Sequence, residues 1–139
     1  RFVDRLVLHV EGAAQTIPAE GDTVRFLRVQ SIPDGAAFES CYDPATGAFT
    51  CPYGGLSKVT VRAVVATVEG EPTDTSEVHI IVNGESVFHR KVAGYGAEIE
   101  YTIPELHEGD TVAVRMHASE PRTSEDGVAT YLQVEASRW

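Results

Sequence analysis

Apolar and polar residues alternate with period two along most of the chain, and no window carries a convincing apolar stripe at 3.6-residue spacing. Side chains along a strand point alternately to opposite faces, so the alternation predicts β-strands. They fall at residues 3–10, 23–29, 58–68, 77–82, 86–92, 97–103, 111–118 and 128–135. In KVTVRAVVATV, Val59, Val61, Ala63 and Val65 share one face; in AEIEYTI, Ile99, Tyr101 and Ile103 point one way, and Glu98, Glu100 and Thr102 the other. The separators SIPDG, EGEPTDTSE, AGYG, HEGD and SEPRTSEDG are turn chemistry. Asn83-Gly84 is the strongest short hairpin signal, because both turn residues must adopt positive φ. Short strands with Gly/Pro punctuation predict an all-β antiparallel sandwich or barrel. With no linker, repeat or low-complexity tract, residues 1–139 read as one domain.

Several strands are apolar on both faces. Val64 and Val68 lie on the second face of 58–68, and Ile81 and Tyr131 do the same in theirs. A two-sheet sandwich in water shows polar residues on its outer faces, so these four predict a cover, most simply neighbouring copies of the chain. Against this stands the ordinary occurrence of scattered surface apolar residues.

The stretch CYDPATGAFTC, residues 41–51, is predicted as a hairpin. Asp43 bonds backbone amides at the turn start, Pro44 presets φ, and Gly47 takes the left-handed position that closes the loop. Pairing Asp43 with Ala48 sets Tyr42 opposite Phe49 as an aromatic cross-strand pair. Cys41 and Cys51 then point to opposite sides, which favours two independent thiols over a disulfide or a metal knuckle.

Charge narrows the function. Twenty-one acidic against eleven basic residues give a net charge of −10. This argues against nucleic acid, which needs a basic face, and against an anionic membrane surface. No apolar run approaches the roughly 18–20 residues that a membrane-inserted helix needs.

YDPATGAFTCPYGGL (42–56) resembles the core segment of the globular head of complement's first component, the C1q-like family related to tumour necrosis factor. LHEGDTVAVRM (106–116) looks like its L-x-x-G-D-x-V-x-L strand entry, and TYLQVEA (130–136) like its closing strand. AAQTIPAEGDTVRF (13–26) is similar to the Q-S-I-P opening of the phage and bacterial branch. Where animal heads carry aromatic residues after the core glycine, this chain reads LSKVTV, and it contains no Gly-X-Y tract. Both departures point toward the phage or bacterial branch. The resemblance implies a ten-stranded, two-sheet jelly roll that assembles as a homotrimer and binds rather than catalyses.

The chemistry-bearing residues are few. His9, His79, His89, His107 and His117 are scattered. A plain two-residue turn at Asn83-Gly84 sets His79 opposite Phe88 and His89 opposite Val78, on opposite faces, so the histidines are read as structural. Ser57 lacks a G-x-S-x-G setting. Of the acidic loops, one offers Glu69, Glu71, Asp74 and Glu77, the other Glu125 and Asp126. No cofactor is expected; calcium is the cation such loops would suit, although neither follows the D-x-[DN]-x-[DN]-G spacing. The same loops, with Arg122, are the expected partner-contacting surface, since long polar loops on a rigid sandwich carry recognition. The expectation is an extracellular virion component, a trimeric appendage head that contacts other virion proteins or a host surface receptor. The alternatives are a capsid decoration protein and a bacterial secreted or surface ligand-binding module.

Overall fold

A computed structural model describes residues 5–12, 14–30, 40–67, 75–93, 96–124 and 127–138. Every regular element among them is a β-strand. One antiparallel sheet runs in the order β10 (Gly96–Leu106), β7 (Leu56–Ala66), β13 (Gly127–Arg138), β1 (Arg5–Gly12), β4 (Phe26–Gln30). The second runs β5 (Tyr42–Asp43), β6 (Ala48–Thr50), β11 (Thr111–Ala118), β8 (Thr75–Val82), β9 (Glu85–Ala93), with β3 (Asp22–Thr23) also paired to β11. β2 (Thr16–Ile17) and β12 (Arg122–Thr123) form a separate short ribbon.

The alternation read from the sequence is what builds the core. Leu8, Val10, Val59, Val61, Ala63, Val65, Ile99, Leu132 and Val134 project from the five-stranded sheet. They meet Phe49, Val78, Ile80, Val112, Val114 and Met116 from the six-stranded one. Burying such side chains contributes roughly 1.5–3 kcal/mol each, which is why the period-two pattern fixes the register.

Three departures from plain alternation shape the two sheets. In β7, Ser57 and Lys58 both fall outside the buried set, and Lys58 has φ +51°. The ladder to β13 passes from Glu135↔Thr60 to Ser137↔Ser57, three steps along β7 against two along β13, so this left-handed residue lies in a bulge of β7. In β9 the pairing passes from Ile81↔Ser86 to Ile80↔Phe88, which leaves Val87 as an extra residue. The third departure corrects the strand predicted at 23–29. Asp22–Thr23 pairs with β11 in one sheet, whereas Phe26–Gln30 pairs with β1 in the other. Val24 and Phe26 are both fully buried, so two inward residues two positions apart gave one strand pattern although the chain changes sheets between them. Gln15 braces the crossing: its Nε2 donates to Thr23 O at 2.9 Å and its Oε1 accepts from Arg25 N–H at 2.9 Å.

The hairpin register is the expected one, Tyr42↔Phe49 and Asp43↔Ala48. Asp43 Oδ1 accepts from Ala45 N–H, and Gly47, at φ +77°, closes the turn through its N–H to Asp43 O. Cys41 and Cys51 are not joined in a disulfide.

Candidate functional site

Three surfaces carry the side chains that could act on something else. The first is the outward face of the five-stranded sheet. Val64 of β7 is the cross-strand partner of Tyr131 of β13, and both are half-buried. The His9 ring stacks on Tyr131 with centroids 5.2 Å apart. His9 Nδ1 lies 3.3 Å from Gln133 Oε1, and Gln133 Nε2 donates to Glu135 Oε1 at 3.2 Å. His9 Nε2 is 3.9 Å from Glu11, and Arg62 pairs with Glu98 at 3.3 Å. The result is an apolar, aromatic centre with a polar surround, the anatomy of an interface that excludes water from its middle.

The second surface is the edge where the two sheets end. β9 is the terminal strand of one sheet and β10 of the other. Phe88 stacks on Tyr101 across that edge, with centroids 5.0 Å apart and planes at 13°. Val87 is 42% and Phe88 38% exposed, and Arg90 Nη1 donates to Glu98 O at 3.4 Å. A terminal strand offers unpaired backbone groups to any partner that approaches, and here it also offers apolar side chains.

The third surface lies on the outer face of the six-stranded sheet, and it corrects the reading of the histidines. His79 stands directly opposite His89, not Phe88. The bulge at Val87 adds one residue to β9 and so turns His89 to the side of His79, a device that a two-residue hairpin count misses. On β11, His117 pairs with Glu77, and Glu77 shares a face with His79 two residues on. His79 Nε2 lies 2.8 Å and His117 Nε2 3.6 Å from Glu77 Oε1. His79 stacks on His89 at 5.2 Å and on His117 at 5.6 Å. Burial pushes the Glu77 carboxyl up, but the hydrogen bond from His79 and the charges of His117, His79 and His89 outweigh it and hold it below its ordinary value. The sequence signal was the Glu-Val-His run at 77–79; bringing His117 to it needs the non-local β8–β11 register.

The other predicted residues are placed as follows. Ile81, half-buried, belongs to β8 and pairs with Ala113, so it sits in the opposite sheet from Val64 and Tyr131. Val68, Glu69, Glu71, Asp74, Glu125 and Asp126 lie outside the described residues. Glu77 is inside β8, not in a loop. Arg122 departs from the expected exposed position: it is 3% exposed and pairs with Ile17, which faces it inward. Tyr42 and Phe49 are core residues, with Asp43, Pro44 and Gly47 forming the turn. Ser57 Oγ donates to Ser137 O at 3.4 Å, a link between neighbouring strands.

No family model matches the sequence, and no curated protein does either. Solved structures do. Murine APRIL at pH 8.0 superposes with a TM-score of 0.63 at 14% identity, covering 95% of this chain and 98% of that one. Eiger TNF from S. frugiperda gives 0.61 at 14% identity, covering 96% and 92%. Pika GITRL gives 0.51 at 13% identity, covering 94% and 92%. The fold is therefore the jelly roll shared by tumour necrosis factor-like and C1q-like proteins.

Proposed function

We propose that the chain is a non-enzymatic binding module that works as a homotrimer. The observation that carries this is a pair of unlike apolar surfaces on one protomer. The Val87, Phe88 and Tyr101 surface is strand edge, and the Val64 and Tyr131 patch is sheet face. Unlike surfaces join head to tail, and a head-to-tail contact closes into a ring when its rotation divides the circle. A ring of three hides every edge and every patch, and threefold assembly is what the C1q-like resemblance implies.

Within that class, the head of a virion appendage, exposed outside the cell and serving assembly or host-surface attachment, is the role we favour. Its support is the sequence resemblance at 13–26 and 42–56. Residues 69–77 and 119–127 are the proposed partner-contacting segments.

Sedimentation equilibrium at micromolar concentration is the first test. Three-copy mass is expected, with Val64→Asp and Phe88→Asp each giving folded single copies; a folded wild-type monomer overturns the assembly. Binding of the trimer to host cells supports the attachment role. Binding only to assembled shells replaces it with capsid decoration, and binding only to a soluble ligand replaces it with a bacterial ligand-binding module.

A further inference from the structure

We propose that Glu77, His79 and His117 form a zinc-type divalent cation site on the outer face of the six-stranded sheet. One ligand atom from each, a carboxylate oxygen and two imidazole nitrogens, lies within 4.8 Å of the other two. Tetrahedral zinc holds nitrogen and oxygen ligands at about 2.0–2.2 Å, so a small inward rotation of these half-buried side chains closes the triad. The backbone already sets the spacing. Glu77 and His117 face each other across the β8–β11 ladder, and His79 follows Glu77 on the same side of the strand.

His79 is also oriented for the task. Its Nδ1 is 2.7 Å from the Ser86 hydroxyl. With Nδ1–H donated to that oxygen, Nε2 is the nitrogen left to take a cation beside Glu77. A metal-binding imidazole is ordinarily fixed in this way by a partner on its other nitrogen. The cation takes the place of the proton now shared between His79 and Glu77.

The donor set selects the metal. Two imidazoles and one carboxylate suit zinc and its neighbours, whereas calcium takes oxygen ligands throughout. Three protein ligands leave a fourth tetrahedral position open. A shallow cavity of about 220 Å³, bordered by Glu77, His117, Lys91 and Ser119, adjoins the triad and gives that position room. Two cations stand nearby. Lys91 pairs with Glu77 across β8–β9, and Arg115 pairs with His79 across β8–β11, although its guanidinium reaches Glu20 O at 3.3 Å. They temper the affinity without ligating the cation.

The experiment is titration of the chelator-stripped protein with zinc alone, by calorimetry and thermal melting, and with cobalt(II) by visible absorption. One zinc per chain, a raised melting temperature and a tetrahedral cobalt spectrum are expected. Glu77→Gln, His79→Gln and His117→Gln should each weaken binding at least tenfold, and Ser86→Ala by about tenfold through the lost orientation. His107→Gln should leave it unchanged. Absence of zinc binding by the folded wild type overturns the site. So does binding that survives the His79→Gln and His117→Gln substitutions unaltered.

Discussion

The backbone N–H of Phe26 donates to the hydroxyl of Tyr42 at 2.9 Å, inside the core. Phe26 is fully buried and Tyr42 is 4% exposed, so no water can replace either partner. Tyr42→Phe keeps the ring packing but leaves a buried N–H unpaired, which costs about 1–3 kcal/mol. Denaturant midpoints should fall accordingly with an unchanged slope.

The same phenol makes stability depend on alkaline pH. Burial pushes Tyr42 from 10.0 up to about 12, with the Phe26 N–H bond pulling the other way. The folded state holds the neutral form, so the contribution is complete below pH 10.0 and is lost as pH rises toward about 12. Over that window stability should decline by up to about 1.4 kcal/mol per pH unit. Tyr42→Phe should flatten the decline, measured by chemical unfolding at fixed pH.

Gly12 touches β13 too closely for any side chain. A Cβ there would meet Thr130 Cγ2 at 2.6 Å. Thr130 is fully buried, and its hydroxyl bridges to the backbone of Ala66 at 3.1 and 3.3 Å. Gly12→Ala should therefore cost about 1–3 kcal/mol by overpacking. Adding Thr130→Ser, which removes Cγ2 and keeps the hydroxyl, should recover part of the loss in the melting temperature.

Lys58 occupies the left-handed region at φ +51°, where a Cβ costs roughly 1–2 kcal/mol. Its side chain is exposed, so glycine loses no packing. Lys58→Gly should raise stability by about 0.5–1 kcal/mol after glycine's own entropy cost. Lys58→Val, β-branched, should lower it. Both are read from urea midpoints.

The two thiols should react at different rates. Cys51 is 2% exposed, and its Sγ donates to Leu106 O at 3.6 Å. Burial, followed by the charge of Asp110, pushes it up to about 11. Little thiolate forms near pH 8, so native alkylation should label the half-buried Cys41 first and Cys51 only after unfolding. Mass spectrometry of the labelled peptides distinguishes the two.

Much of the architecture was legible because period-two burial leaves a direct imprint on composition. The valines of β7, the glutamates of β10 and the Tyr42–Phe49 pairing all fall where alternation puts them. Bulges left no such imprint. Nothing in ESVFHRK marks Val87 as the extra residue, yet its presence decides which way His89 faces. Likewise the change of sheet at Val24–Arg25 lies within an unbroken alternation, because both sheets draw on the same core. The cation triad was hidden for the same reason: two of its members are neighbours along the chain, and the third arrives through long-range pairing.

The Gln15 brace has a mechanical meaning. Only Val24 and Arg25 separate a segment fastened to one sheet from a segment fastened to the other, so there is almost no slack between the layers. Traction that tries to slide one layer past the other loads this clasp before it loads either ladder, and Gln15 grips the strap on both sides of Val24. The sandwich should yield under shear as a whole, not peel layer by layer.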